Sequence, residues 1–219
     1  GPMRIVVVLV GFFALLGSWT AHAGGGAGWE AFGTKSGVEV ERKVMPGSPL
    51  FAFRGEGTFD VEIGRLVSVL KNAEIAAEWV DLMTEHTVLK QVGENKKLIY
   101  ESYGLPWPIS DRDYLMHEQY GYDEVNKVFT ISYESVEDPA KPPQEGHVRA
   151  MAFRTFWRLT MVDGDTTRIE VEVFTDPKGS LPAWLINLIQ KDWPWKTIDG
   201  LVGRSQNNDV IPDPATAQW

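Results

Sequence analysis

Residues 174–187, FTDPKGSLPAWLIN, join a strand pattern to a helix pattern through a turn rich in proline and glycine. Before the turn, residues 168–175 alternate between apolar and polar side chains, which is typical of a half-buried strand. After it, apolar side chains recur at the spacing of one helix face, at Leu181, Trp184, Leu185, Leu188 and Ile189. We therefore predict a long amphipathic helix over residues 181–206, kinked at Pro194, with Trp184 as an anchor in the core.

A second informative stretch is PWPISDRDY at residues 106–114. Its two prolines fix φ at a sharp corner between strands, and we expect Trp107 to anchor that corner. Arg112 and Asp113 place two charges at the start of a strand. We expect them to hold the corner through an ion pair or through hydrogen bonds to the backbone.

The remaining sequence alternates strand and turn signals after two helices. The predicted strands are 38–44, 51–59, 87–91, 97–103, 114–122, 128–136, 148–162 and 168–175. The predicted helices are 60–72, 75–83 and 181–206, and residues 29–33 are predicted as a short helix or packed turn. Short connections between strands favour hairpins and an antiparallel sheet. The predicted fold class is α+β: a curved antiparallel sheet gripping the long C-terminal helix. The space between the concave face of such a sheet and its helix can be an apolar tunnel or can be filled by core side chains. The sequence pattern alone does not distinguish these two alternatives.

Composition excludes several functions. The net charge of -9 argues against nucleic acid as a partner. The absence of Cys excludes disulfides and thiol chemistry, and the four His have no metal-ligand spacing. We expect no metal and no cofactor.

The N-terminal residues indicate export. Gly1 and Pro2 are typical of a tag remnant, and residues 3–23 combine Arg4, an apolar run and an AHA cleavage pattern. We predict a secretory signal peptide ending at residue 23, which leaves a periplasmic or secreted protein; the leader could instead serve as an uncleaved anchor. The other predicted parts are a glycine linker over 24–28, one domain over 29–207 and an irregular tail over 208–219.

The two quoted stretches resemble a known family. Residues 106–114 are similar to the P-[FW]-P-x-S-x-R-D-[YF] segment of START (StAR-related lipid-transfer) domains. Residues 174–187 are similar to the F-x-[DN]-P-x-G-x-[IL]-P-x-W-[LI]-[IV]-N run of the same family, and Trp79 falls where the family has a tryptophan after its short helices. The resemblance runs from about Gly28 to Asn207. It implies a helix-grip fold around a tunnel that binds one lipid, with the last helix as a lid and no chemistry on the ligand.

The sequence departs from family members of known ligand class. The members that bind phosphocholine resemble one another in an Arg and an Asp on the helix around Trp79, where this chain has Ala76 and Val80. The members that carry cholesterol have an Arg where this chain has Glu118, with Glu101 roughly opposite. We therefore expect a sterol, a hopanoid-like polycycle or another weakly polar lipid to bind better than phosphatidylcholine.

Candidate ligand-contacting residues follow from the helix stripes and from strand parity. Glu101 and Glu118 could each hydrogen-bond a ligand hydroxyl or could face solvent. The predicted ligand-binding residues are Trp79, Met83, Glu101, Tyr103, Tyr114, Met116, Glu118, Met151, Phe153, Thr155, Trp157, Leu185 and Leu188.

The sequence thus predicts a lipid carrier that acts without catalysis, is monomeric when mature and contacts membranes transiently. Two alternatives stay open. One is a cyclase, aromatase or hydrolase on the same fold, for which Glu101, Glu118, His117 and Arg112 are the only candidate acid-base groups. The other is a scaffold whose cavity is filled.

Overall fold

A computed structural model describes residues 28–219. The predictions of a tag remnant, a signal peptide and most of the linker concern residues 1–27 and lie outside the described residues. The strands are β1 Trp29–Lys35, β2 Val38–Val44, β3 Phe51–Phe59, β4 Met83–Gly93, β5 Lys96–Tyr103, β6 Asp111–Asp123, β7 Val128–Ser135, β8 His147–Arg149, β9 Met151–Asp163 and β10 Thr166–Asp176. The helices are α1 Ile63–Lys71, α2 Ala76–Trp79, α3 Ala183–Gln190 and α4 Trp193–Ser205.

The strands form one open sheet in the order β1-β2-β3-β10-β9-β7-β6-β5-β4. Every pair along this order is antiparallel, and the short β8 pairs in parallel with β6. Within residues 28–219 two edges remain, at β1 and β4, so the sheet curves without closing into a barrel. The predicted antiparallel sheet with a C-terminal helix packed on its concave face is confirmed.

The core lies between the concave face of the sheet and the helices α1 and α4. Leu66 and Val67 of α1 meet Ile198 and Leu201 of α4 over a floor that includes Phe129. All five side chains are essentially inaccessible to solvent. Burying a side chain of this size contributes about 1.5–3 kcal/mol, so this cluster holds the two helices against the sheet.

A glycine lets α4 pass directly over the end of α2. A Cβ built on Gly200 would lie 2.2 Å from the carbonyl oxygen of Trp79. No side chain fits at that distance, because ordinary contacts begin near 3.4 Å. Gly200 therefore sets the spacing between α2 and α4.

The residues after α4 are pinned to α1. The guanidinium of Arg65 donates hydrogen bonds to the backbone carbonyls of Ser205, Asn207 and Val210 at 2.8–3.1 Å. Arg65 thus supplies partners for carbonyls at the end of α4, which the helix itself leaves unpaired. The tail is irregular apart from a 3₁₀ turn at Pro214–Thr216, and it is packed in place.

Three sequence predictions about the elements are wrong. Residues 29–33 belong to strand β1, whose aromatic side chains contact cations of β2 and β3; Arg54 of β3, for example, lies over the Trp29 ring. The second helix ends at Trp79, because Leu82 has a φ of 65° and Met83 already begins β4.

The third error concerns the last helix, which is two helices, α3 and α4. Lys191 and Asp192 separate them, and Pro194 occupies the first turn of α4 instead of kinking a continuous helix. Proline is well suited to a first turn because its missing N–H needs no partner there. Among residues 28–219, no helix has the length and apolar character needed to cross a membrane.

Candidate functional site: an apolar cavity with one polar end

A cavity lies between the concave face of the sheet and the helices α2, α3 and α4. It is mainly apolar, partly open to solvent, and has a volume of about 140 Å³. Pockets for small molecules commonly measure about 300–1,000 Å³. A lipid-sized ligand therefore requires this cavity to widen.

Most of the predicted ligand-contacting residues lie in the wall of this cavity. They are Trp79, Met83, Glu101, Tyr103, Tyr114, Met116, Thr155 and Trp157. Four strands and one helix supply them, so the cavity brings together residues that are far apart in the sequence. Their contact with a ligand stays a prediction.

Met151 and Phe153 do not line the cavity, which corrects the parity argument for β9. The register between β9 and β10 shifts where Phe174 pairs with Arg154 and Thr175 with Ala152, leaving Phe153 as the extra residue of a bulge. A bulge reverses the alternation of side chains on either side of it. Ala152 therefore faces the cavity, and Phe153 packs on Phe174 outside it, with ring centroids 5.0 Å apart.

The predicted face of the final helix is also corrected. Leu188 is 50% exposed and Trp184 is 68% exposed, and the half-buried Leu185 is not part of the cavity wall. The residues of this segment that do line the cavity are Leu181, Ile186, Ile189 and Gln190. The helix is apolar nearly all round, so the helical period alone could not select the inward face. Trp184 is not a core anchor, and Trp107 at the proline corner is 93% exposed.

Buried acidic groups form the polar end of the cavity. Glu101 accepts a hydrogen bond from Tyr103 at 2.8 Å, and its other oxygen lies 3.1 Å from His86 Nδ1. His86 Nε2 lies 4.0 Å from a carboxyl oxygen of Glu118, which is hydrogen-bonded to Tyr133. Glu118 is buried behind the cavity wall and does not line it, which corrects its predicted position. Neither glutamate faces solvent.

The environment of this cluster shifts its titration. Burial raises the pKa of Glu118, and the nearby Glu101 raises it further, although His86 and Lys97 oppose both. Burial alone would lower the pKa of His86, but the hydrogen bond to Glu101 and the two carboxylates raise it. Burial and the adjacent carboxylate raise the pKa of Tyr103, so its hydroxyl stays a donor.

Among the described residues, the one guanidinium that reaches the wall is already engaged. Arg112 donates to the backbone carbonyls of Pro177, Ser110 and Lys178 at 2.5–2.9 Å. Asp113 is fully buried and pairs with Arg149 at 2.7 Å. The predicted ion pair and backbone hydrogen bonds are present, but only the bond to Ser110 lies next to the proline corner, and the others join Arg112 to the turn at residues 177–178 and Asp113 to Arg149.

The two positions that the resemblance aligns with the charged pair of phosphocholine-binding members are apolar. Ala76 and Val80 both line the cavity. Apart from Arg112 and the imidazole of His86, no basic side chain lies in the described part of the wall. A phosphate inside the cavity would therefore lack a free cationic partner.

Sequence reasoning missed several residues of the wall, including His86, Tyr133 and Thr197. A longer β4 would have placed His86 directly across from Glu101, its partner in the β4–β5 ladder. Thr197 falls one turn after Trp193 on the inward face of α4, but a lone threonine in an apolar stripe gives no signal of its own. No cluster of three or more His, Asp or Glu within residues 28–219 is arranged to hold a metal ion.

Comparison with known proteins agrees with this architecture. The family model of the START domain matches residues 20–209. The chain belongs to the START domain family. Its START domain is 26% identical to an uncharacterized protein of Pseudomonas aeruginosa, over 92% of this chain and 96% of that one. It is 22% identical to the phosphatidylcholine transfer protein of Mus musculus, over 83% and 86%.

A solved structure gives the same result. The STAR-related lipid transfer protein from Xanthomonas axonopodis superposes with a TM-score of 0.72 at 28% identity, covering 82% of this chain and 99% of that one. The START domain seen here thus shares its fold and its family with proteins named for lipid transfer.

Proposed function

We propose that this START domain binds a single lipid-like molecule in its cavity and carries it between membranes without chemical change. The observation that carries the proposal is the apolar space between the concave sheet and α3, a helix whose other face is also apolar. The relatives named for lipid transfer support the same function.

Mass spectrometry of a denatured extract of the purified protein tests this function. We expect about one equivalent of a lipid. Ala152 faces the cavity and Arg154 lies beyond the bulge on the outer face, so the two provide a matched pair. Ala152→Leu should reduce the co-purified lipid, and Arg154→Leu should not. Absence of lipid together with turnover of a substrate would favour the enzyme alternative, for which the His86–Glu101 pair is the available base. Absence of both would favour a scaffold.

The cavity favours a weakly polar lipid, such as a sterol or a hopanoid-like polycycle, over phosphatidylcholine. Support comes from Ala76 and Val80 in the wall and from the engagement of Arg112 by three carbonyls. Competition binding against a fluorescent lipid tests this preference. A ranking of phosphatidylcholine far above every sterol would contradict it.

Membrane contact is assigned to the apolar side chains beside the cavity. Trp107 lies two residues from Leu105, and Trp184 lies three residues from Leu181, and both leucines line the cavity. Tryptophan partitions favourably into the membrane interface. Trp184→Ser should slow lipid transfer between vesicles and leave lipid affinity unchanged. Val125→Ser, at an exposed turn remote in the sequence from these residues, is the matched control. Equal transfer rates for the two variants would contradict the assignment.

The gate is assigned to α3, which moves about the break at Lys191–Asp192. The side chain of Asn187 joins α3 to the start of β3, by accepting from the amide of Phe51 at 3.2 Å, and to the preceding loop, by donating to the carbonyl of Pro49 at 3.4 Å. The sequence has no Cys, so cysteines introduced by Asn187→Cys and Pro49→Cys have no competing thiol. Oxidation should slow lipid exchange and reduction should restore it. Exchange at the same rate in both states would rule out this gate.

The signal pattern over residues 3–23 motivates the remaining parts of the proposal: export to the periplasm or outside the cell, and a monomer once the leader is removed. Fractionation of cells that express the full chain, followed by mass measurement and a sizing column, tests both.

A further inference from the structure

Three buried polar atoms of the described cavity wall have no hydrogen-bond partner. They are Trp79 Nε1, Thr155 Oγ1 and Thr197 Oγ1. Thr197 is fully buried and Trp79 is 8% exposed. Unpaired buried polar groups are rare in native proteins because each sacrifices its hydrogen bonds to water. Three at one cavity therefore require an explanation.

Contacts connect the three residues to neighbouring parts of the cavity wall. Trp79 packs edge-on against Trp157, with ring centroids 6.0 Å apart. Thr155 lies two residues from Trp157 on the same face of β9, about 7 Å along the strand. Thr197 precedes by three residues the glycine that contacts the backbone of Trp79. The unpaired groups therefore belong to the region where α2, α4 and β9 meet.

Local alternatives do not satisfy these groups, although comparable groups nearby are satisfied. In α4, the hydroxyl of Ser205 donates to the carbonyl of Leu201 four residues earlier at 2.7 Å. Thr197, in the same helix, makes no such bond. Trp195 Nε1 lies 3.2 Å from an oxygen of Asp192, whereas the Trp79 indole has no partner among the described residues.

The chemistry of these groups defines what they can bind. An indole N–H only donates, and a threonine hydroxyl can donate. Their common complement is an acceptor oxygen. The described wall also contains Glu101 and has no free guanidinium, since that of Arg112 is committed, so an anionic acceptor is disfavoured.

We infer that Trp79, Thr155 and Thr197 form a hydrogen-bonding site for a neutral oxygen of the bound lipid: a carbonyl, ester or hydroxyl. This inference rests on the proposed lipid-binding function and specifies which polar group the lipid carries inside the cavity. The site lies where α2 and α4 meet β9, and its three residues are not members of the acidic cluster around Glu101.

Isosteric variants test the site through two readouts of opposite sign. Thr197→Val removes an unpaired hydroxyl, so it should raise the Tm of delipidated protein by about 2–4 °C. The same change should weaken binding of methyl octadecanoate or octadecanol roughly fivefold to tenfold, because one hydrogen bond to the ligand is lost. Thr155→Val should behave in the same way. A structural role alone would not produce stabilisation together with weaker binding.

The probes are C18 compounds that differ only in their polar end: octadecane, octadecanol, methyl octadecanoate and octadecanoate, each competing with a fluorescent lipid. Wild-type protein should prefer the alcohol and the ester over the alkane and the anion, and Thr197→Val should reduce that preference. Trp219 provides the control, because its Nε1 is also unpaired but is not in the cavity wall. Trp219→Phe should leave the preference unchanged.

The outcomes separate the inference from the proposed function. If wild-type protein binds none of the probes, the inference fails, and the proposed function is decided separately by whether a lipid co-purifies. If wild-type protein binds them but Thr197→Val and Thr155→Val bind with unchanged preference, lipid binding stands and the inference is wrong. Unchanged preference would mean that water alone occupies the site.

Discussion

Substitution of Gly200 by alanine tests the contact between α2 and α4. The added Cβ would lie 2.2 Å from the carbonyl oxygen of Trp79 and 3.2 Å from its carbonyl carbon. The opposing atoms belong to the backbone and cannot rotate away, so α4 must move by more than about 1 Å to reach an ordinary contact of 3.4 Å. Overpacking of this kind typically costs about 1–3 kcal/mol.

Helix propensity acts in the opposite direction. Replacing glycine by alanine inside a helix contributes about 1 kcal/mol, so the overpacking of Gly200→Ala must exceed this gain. We expect a net loss of about 2 kcal/mol in the free energy of unfolding, taken from the upper end of the overpacking range because the clash is with backbone. Gly203 supplies the control, since it lies in α4 and a Cβ added there would have nothing within 4 Å. Gly203→Ala should be neutral or stabilise by up to about 1 kcal/mol.

Urea denaturation followed by tryptophan fluorescence measures both variants. The urea concentration at the midpoint of unfolding should fall for Gly200→Ala and should stay the same or rise for Gly203→Ala. The dependence of the unfolding free energy on urea concentration should be the same for both variants. The reasoning is refuted if Gly200→Ala is as stable as Gly203→Ala. In that case the close approach of α4 to α2 does not exist as described.

Further predictions concern the buried charges. The pKa of Glu118 is raised by burial, and that of His86 is raised by the neighbouring glutamates against the effect of burial. Both groups hold their protons more tightly in the folded protein. The free energy of unfolding should therefore fall as pH rises above about 4.5, the ordinary pKa of a Glu, and should fall further above 6.5, the ordinary pKa of a His. The decrease is at most about 1.4 kcal/mol per pH unit for each proton. Glu118→Gln should flatten this dependence in thermal melts across pH, and an unchanged slope would contradict it. Arg112→Met leaves three carbonyls without their donor and should cost about 3 kcal/mol or more in urea denaturation; Arg112→Lys should lie between it and wild type, and a fully stable Arg112→Met would contradict the role. Burial alone would lower the pKa of Lys71, but its contacts with Tyr122 and Asp213 raise it to about 12. Asp213→Asn weakens the ion pair that joins the tail to α1, so it should speed amide hydrogen exchange in the tail. Equal exchange rates in the variant and the wild type would contradict the pinning of the tail.

Most of the fold could be predicted from the sequence, because alternation of apolar residues and turn motifs are local signals. Alternation identified the long strands, and the proline corner and the turn before α3 matched a family pattern. The prediction for Trp29–Lys35 failed because this strand exposes most of its residues and alternates weakly. It is stabilised by the next strand and by cations such as Arg54, which local pattern does not reveal.

The cavity could be predicted only where parity was unbroken. On β6 the alternation holds, and Tyr114 and Met116 were correctly assigned to the inward face. On β9 the bulge at Phe153 reverses the alternation, and nothing in an isolated sequence marks it. The sequence predicted part of the acidic cluster, because it identified Glu101 and Glu118 but not the imidazole of His86 between them. Its position depends on the register of β4 against β5, which is a tertiary property.

The separation of α3 from α4 divides the last part of the chain mechanically. α4 is held in place at Gly200, which packs against the backbone of Trp79, and at its C-terminal side by hydrogen bonds from Arg65 to Ser205 and to two residues that follow the helix. Fewer hydrogen bonds hold the side chains of α3, from Asn187 to Phe51 at the start of β3 and from Gln190 to Thr175. In the proposed gate, α3 therefore moves about residues 191–192 while α4 stays in place, and the moving helix has eight residues. This proposed opening displaces about two helical turns and leaves the core around α4 packed.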